Sequence, residues 1–280
     1  MDNNILVQNL CKQFEGFSLD NVSFKVPKGR IVGFIGENGA GKSTTINLIL
    51  NELNKDSGQI QVFGIDHTIP TVKDNIGVVF DECNFHDVFT ATDIEKILKG
   101  IYKTWDSNLF LQYLKKFKIP TKKKIGAFSK GMKMKLAIAV ALSHHAKLLI
   151  LDEPTSGLDP FMRDEILDIL YEFTRAEDQS VLISSHIVSD LERLCDYIAY
   201  IDQGSLKLYE EKDRLIEQYG ILKCSKEELK EFDEQAVKGV RKNSYGVEAL
   251  VDKLKMPKDY KTDTATLEEI IVFLSKGQEE

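Results

Sequence analysis

Cysteine is scarce. There are four in 280 residues, Cys11, Cys83, Cys195 and Cys224, with no CxxC pair and no histidine cluster nearby. That excludes a disulfide-stapled scaffold and a zinc-finger type of site, and the four are expected to be reduced thiols acting as small hydrophobes. Long apolar runs are missing too. The longest, Leu136 to Leu151, falls short of the ~20 residues a membrane-spanning helix needs and is interrupted by His144, His145 and Lys147. The N-terminus, MDNNILVQNL, has neither the basic start nor the apolar stretch of a secretory leader, so the cytosol is the expected compartment. Nor is there an excess of positive charge. With 37 basic against 44 acidic side chains the formal net charge is −7, which argues against a nucleic-acid coat that works by neutralising phosphates. Internal repeats and low-complexity tracts are absent. At 42% hydrophobic and 29% charged residues, this is an ordinary folded chain, long enough for one large domain or a domain with an appendage.

What is present is an alternation of short β-type runs and helical stripes. Ile5 to Leu10, Leu19 to Val26 and Ile31 to Ile35 read as strands, with a Pro27-Lys28-Gly29 turn before the third. Ser43 to Leu53 reads as a helix burying Ile46, Ile49, Leu50 and Leu53 on one face, and Gln59 to Phe63 and Ile76 to Phe80 as further strands. From Glu82 to Ala146 the texture turns helical: a capping box is expected at Thr92 and Glu95, a helical stripe over Trp105 to Phe117, and Ser129 as the cap of a helix running to Ala141. This reads as an inserted helical subdomain. Leu148 to Leu151 and Val181 to Ile183 are fully apolar and flank a helical segment, Phe161 to Ala176, the layout of parallel βαβ units. After the Asp202-Gln203-Gly204 turn, charged helices (Glu210 to Gln218, Lys226 to Glu231) and an amphipathic segment, Leu267 to Leu274, are expected to form a small C-terminal extension.

The chemistry concentrates in two places. Gly36-Glu37-Asn38-Gly39-Ala40-Gly41-Lys42-Ser43-Thr44 satisfies GxxxxGK[ST] between an apolar strand and a helix. Glycines let backbone N–H groups approach a triphosphate closely, and the helix N-terminus adds partial positive charge. Lys42 is expected to bridge the terminal phosphates and Ser43 to ligate magnesium. The bland reading is a structural glycine turn. In the second place, the apolar strand Leu148 to Leu151 ends in Asp152-Glu153. Carboxylates at a buried strand end need a charged partner, which a magnesium nucleotide supplies. Asp152 then takes the magnesium side, and Glu153 polarises an attacking water. The alternative is a solvated turn before Pro154.

With these two motifs stand FSKGM at Phe128 to Met132, SGLD at Ser156 to Asp159, and His186 in SSH. In this order they make the chain from Ile5 to Lys207 resemble the nucleotide-binding subunits of ABC transporters. The resemblance implies an α/β P-loop NTPase with an ABC ATPase core. A RecA-like ATP-binding core with an N-terminal β subdomain would span residues 1–81 and 147–208, a helical subdomain 82–146, and a C-terminal extension 209–280. It implies an ATPase whose cofactors are ATP and Mg2+. It also implies a homodimer, or a heterodimer with another ATPase subunit, that drives an integral-membrane permease from the cytoplasmic face, with no nucleic-acid partner.

ATP would lie between Asn38, Gly39, Ala40, Gly41, Lys42, Ser43 and Thr44 of one protomer and Ser129, Lys130, Gly131, Met132 and Asp159 of the other. Phe14 would stack on adenine, Ser43 and Asp152 would hold magnesium, and Glu153 and His186 would carry catalysis. Taken alone, Ser129 reads as a plain helix cap and Phe14 as a core residue, and His186 reads as well as a surface histidine. Two departures from the family pattern stand out. Asp81 occupies the position of the Q-loop glutamine, where a carboxylate still suits magnesium but adds negative charge beside phosphate. Lys130 and Met132 replace the signature's usual glycine and glutamine.

Nine lysines and no acid lie between Lys115 and Lys135, and a solvated helix face is the expected reading. Adjacent His144 and His145 lack the spacing and carboxylates of a metal site. The FSKGM form and the tail TLEEIIVFLSKG are similar to ABC-2-type bacterial exporters of antibiotics, lantibiotics or other peptides. The competing function is a soluble ABC-type ATPase that remodels a macromolecular complex, and a third is a nucleotide-binding regulator without turnover.

Overall fold

The chain opens with β1 (Asn3–Phe14) and β2 (Phe17–Pro27), an antiparallel pair, followed by β3 (Ile31–Ile35), whose five residues are all buried. The structure, a computed structural model, describes residues 2–82, 84–229, 231–233, 235–243, 246–257 and 260–276. After β3 come α1 (Lys42–Ile49), β4 (Ser57–Val62), β5 (Ile65–Asp66) and β6 (Ile76–Val79). α1 stops short of the expected Leu53, because Asn51 adopts a left-handed φ of 56°, a conformation asparagine tolerates and a helix cannot continue through.

Three helices follow: α2 (Ala91–Ile101), α3 (Ser107–Lys116) and α4 (Lys130–Leu142). The capping box of α2 lies two residues upstream of the expected Thr92 and Glu95. Thr90 Oγ1 accepts from Asp93 N at 3.2 Å, and the Asp93 carboxylate accepts from Thr90 N at 3.0 Å. Thr92 instead donates its hydroxyl to the Thr121 carbonyl, so it is already inside the helix. Ser129 caps α4 as expected, accepting from Met132 N.

The α/β alternation then resumes with β7 (Leu148–Asp152), α5 (Pro160–Phe173), β8 (Ser180–Ser185), α6 (Val188–Leu194), β9 (Tyr197–Asp202) and β10 (Ser205–Glu211). A ten-stranded sheet has the order β5-β4-β1-β2-β10-β9-β3-β8-β7-β6. Within it β9, β3, β8, β7 and β6 run parallel, and β3, β7 and β8 are buried on both faces, which is why their sequences read as unbroken apolar runs. One apolar cluster lies between this sheet and α4 and α5, and a second holds the residues of β1, β2 and α1.

The C-terminal part differs from its expected helical texture. α7 (Lys212–Gln218) leads into β11 (Tyr219–Cys224), α8 (Lys226–Leu229), β12 (Val237–Asn243), β13 (Gly246–Asp252), β14 (Asp263–Thr264) and α9 (Leu267–Lys276). The four strands make a second, antiparallel sheet in the order β12-β13-β11-β14. α9 buries Leu267, Ile270 and Phe273, and the Arg241 guanidinium of β12 lies over the Phe273 ring.

Four of the lysines between Lys115 and Lys135 are ion-paired rather than simply solvated. Lys116 meets Glu172, Lys130 meets Asp81, Lys133 meets Asp87 and Lys135 meets Glu165. The acids that balance this basic stretch come from elsewhere in the chain. Cys11, Cys195 and Cys224 are free thiols, with Cys195 buried against Gly33, and Cys83 lies outside the described residues. Among the described residues no helix is long and apolar enough to cross a membrane.

Candidate functional site

Three parallel strands end side by side. Ile35 of β3 is in register with Ser185 of β8, and Ser184 of β8 with Asp152 of β7. The loop after β3, the Asp152-Glu153 step and His186 therefore meet at the carboxyl ends of the strands, where open α/β sheets bind ligands.

The loop from Gly36 to Gly41 turns back over β3 and starts α1. Gly41, the N-cap of α1, has φ 112°, and a Cβ there would lie 2.6 Å from Leu19 and 3.0 Å from Phe17. Gly39 has φ 85° and no atom within 4 Å of the position a Cβ would take, so its backbone is open to an approaching group. α1 has no side-chain cap and no acid in its first turn. Asn38 and Ser43 are exposed, Ala40 is buried and Thr44 is half-buried. An uncapped N-terminus with a glycine-lined approach fits a polyphosphate.

Lys42 is 5% exposed, and its ammonium donates to the carbonyls of Gly36 at 2.6 Å and Glu37 at 3.1 Å. The same nitrogen lies 3.1 Å from Glu153 Oε1, while Glu153 Oε2 lies 2.7 Å from His186 Nδ1 and accepts from His186 N at 3.3 Å. Three residues from distant motifs thus form one chain of contacts, Lys42 to Glu153 to His186. Glu153 has φ 50°, and a residue other than glycine held there costs ~1–3 kcal/mol, a strain that concentrates at functional sites. Its N–H donates to Ser184 Oγ at 3.0 Å, and Ser184 Oγ in turn donates to the Asp152 carboxylate. Asp152 is thereby oriented in a buried position.

Phe14 is half-buried at the end of β1, with its ring 6.3 Å from that of Phe17 and the Lys12 ammonium 5.6 Å from its centroid. Phe17 touches the Gly41 position, so this aromatic pair borders the loop. A second group forms around the start of α4. Ser129 and Lys130 are exposed, Met132 is half-buried, and Gly131 packs against Met162 of α5 so closely that a Cβ would meet Met162 Cε at 2.5 Å. Asp81 lies here, with its carboxylate 2.7 Å from Lys130 Nζ. Asp159 caps α5 by accepting from Phe161 N and Met162 N, both at 3.1 Å.

Sequence reasoning missed Ser184, which ties Asp152 to Glu153, and Phe17, which backs Phe14. The serines that end the apolar run of β8 were the available signal for the first. His144, by contrast, is structural: its two ring nitrogens lie 3.3 Å and 3.1 Å from the carbonyls of Val140 and Ile76, and it stacks on Tyr102.

The ABC transporter family pattern matches residues 19–156. The ABC transporter ATP-binding protein YtrB of Bacillus subtilis (strain 168) is 33% identical over 217 residues, 77% of this chain and 74% of that protein. The lantibiotic transport ATP-binding protein SrtF of Streptococcus pyogenes is 36% identical over 210 residues, 74% of this chain and 90% of that protein. Among solved structures, the dimeric post-hydrolysis state of the ATP-binding cassette MJ0796 bound to ADP and Pi superposes with a TM-score of 0.66 at 23% identity, covering 74% of this chain and 98% of that one, which speaks for the fold. The chain therefore belongs to the ABC transporter ATP-binding proteins: it is a nucleotide-binding P-loop ATPase subunit of a transporter.

Proposed function

We propose that this chain is the ATPase subunit of an exporter, and that two ATPase subunits close around two ATP molecules to drive a separate membrane permease. The observation that carries the reading is the Glu153 carboxylate held between Lys42 and His186 at the ends of three parallel strands. A carboxylate so placed accepts a proton from water at a defined point, while the His186 ring fixes its second oxygen. Lys42 then exchanges loop carbonyls and Glu153 for the terminal phosphates, and the N–H groups of the Gly39 to Thr44 segment cradle them. Phe14 offers a flat face to adenine.

The Ser43 hydroxyl and the Asp152 carboxylate suit magnesium, an ion that keeps several waters and takes few protein ligands beside the phosphates. When bound, it screens the phosphate charge. Ser129 and Gly131, with the N–H groups at the start of α4 that the Ser129 cap leaves unpaired, serve the nucleotide of the other subunit, and Asp159 lies at the same seam. SrtF is named for lantibiotic transport, which supports export of a peptide or antibiotic, with the cargo chosen by the permease.

The test is phosphate release with ATP and magnesium. Glu153→Gln is expected to keep ATP binding and to slow turnover by about 100-fold or more. Lys42→Ala is expected to lose triphosphate affinity. Turnover near wild type in Glu153→Gln contradicts the reading.

A further inference from the structure

The two departures from the family pattern are in contact with each other. Asp81 follows β6 and Lys130 opens α4, and their charged ends are 2.7 Å apart although they lie 49 residues apart in sequence. Their side chains are 43% and 45% exposed, so the pair is solvated and weakly held. Lys130 Nζ also reaches the turn before α5, where a Cβ on Gly157 would lie 3.5 Å from it. Asp81 and Lys130 themselves line a cavity of about 370 Å³, together with Phe80, Glu82, Phe128 and Lys133.

The placement of Lys130 is electrostatically awkward. It is the first residue of α4, at the positive end of the helix dipole, and the first turn carries no acid. A cation there is unfavourable unless an anion stands close by. Asp81 supplies that anion from within the chain. If Ser129, the residue before Lys130, faces a nucleotide held by the other subunit, the polyphosphate is a second and more highly charged anion within reach of the same ammonium. One ammonium cannot stay on the Asp81 carboxylate and also swing out to that polyphosphate.

We infer that Asp81 is a positioning residue that competes with the partner-bound polyphosphate for the Lys130 ammonium, so that each closure of the dimer exchanges an ion pair within the chain for one across the seam. This rests on the dimeric ATPase reading above. The aspartate then lowers the apparent affinity for ATP in turnover, and the lysine raises it. An exchange of this kind sets a threshold for closure, because only a ligand more anionic than one carboxylate displaces it.

The experiment is a double-mutant cycle on the full chain, with its transporter partner where turnover requires it. KM and kcat for phosphate release from ATP are read for wild type, Asp81→Asn, Lys130→Gln and the double variant, alongside thermal unfolding. Asp81→Asn is expected to lower KM by about two- to fivefold, the scale of one exposed ion pair, with kcat changed less. Lys130→Gln is expected to raise KM. In the Lys130→Gln background Asp81→Asn is expected to have no further effect, because there is no ammonium left to release. Melting temperatures are expected to stay close to wild type, since an exposed pair adds little to folding. The inference is overturned if Asp81→Asn leaves KM unchanged or raises it, or if its effect is the same with and without Lys130. A wild-type chain that hydrolyses ATP while Glu153→Gln does not keeps the parent reading intact whatever the cycle shows. A wild-type complex without turnover overturns both.

Discussion

Glu153 shows at the scale of one residue how local strain and charge define the site. Its left-handed backbone turns the side chain away from the line of β7, and Lys42 and His186 then take one carboxylate oxygen each. In the proposed ATP-bound state Lys42 passes to the phosphates while His186 still holds Oε2, so the carboxylate meets water with one oxygen already fixed, which is the physical content of preorganisation. His186→Ala leaves one oxygen without its partner while the loop and Lys42 are untouched. The expected result is ATP binding like wild type with kcat lower by about 100-fold in phosphate-release assays, and an equal loss of ATP binding would count against the positioning role. Glu153 was singled out in the sequence because it ends an apolar strand, and His186 because of the family resemblance; their contact with each other is what the structure adds. Ser184 was not singled out, because a serine at a strand end is common and its purpose appears only when β8 lies beside β7 in register.

At the scale of elements, β3, β7 and β8 were legible because burial on both faces leaves an unbroken apolar run, as in Leu148 to Leu151, whereas β9, which runs parallel to β3, was not read as a strand. The capping box of α2 was placed two residues late because threonines occur at both 90 and 92 and an acid stands three residues after each, so the pattern alone does not choose between them. The C-terminal strands were missed because β11 and β12 mix charged residues such as Lys223, Lys238 and Arg241 with their apolar ones, and because β11 finds its partners, β13 and β14, only some distance further along the chain.

The junction between α4 and β6 carries a pH dependence of its own. Burial pushes the His144 pKa down from its ordinary 6.5, against the smaller raising effect of the Val140 and Ile76 carbonyls, with His145 and Asp74 as the nearby charges. The folded chain then binds fewer protons at this site than the unfolded chain when the pH falls below 6.5, so this contribution to stability is present above that pH and is lost below it. Urea midpoints at about pH 7.5 and about pH 5.5 are expected to differ more for wild type than for His144→Asn, and equal differences would contradict this account.

For the whole molecule, the sheet brings the loop, the carboxylate strand and the histidine to one edge, while α4 carries Ser129, Lys130 and Gly131 in a separate group with Asp81 and Met162. In the proposed dimer, this site divided into two groups on one chain is completed by a second chain related by a two-fold axis, each lending its α4 start to the other's phosphates. The measurement that tests this most directly is light scattering of Glu153→Gln with saturating ATP and magnesium. The account predicts a shift from monomer to dimer mass that requires ATP and is lost when Ser129→Arg is added. A chain that remains monomeric under those conditions, alone and with its permease, would contradict it.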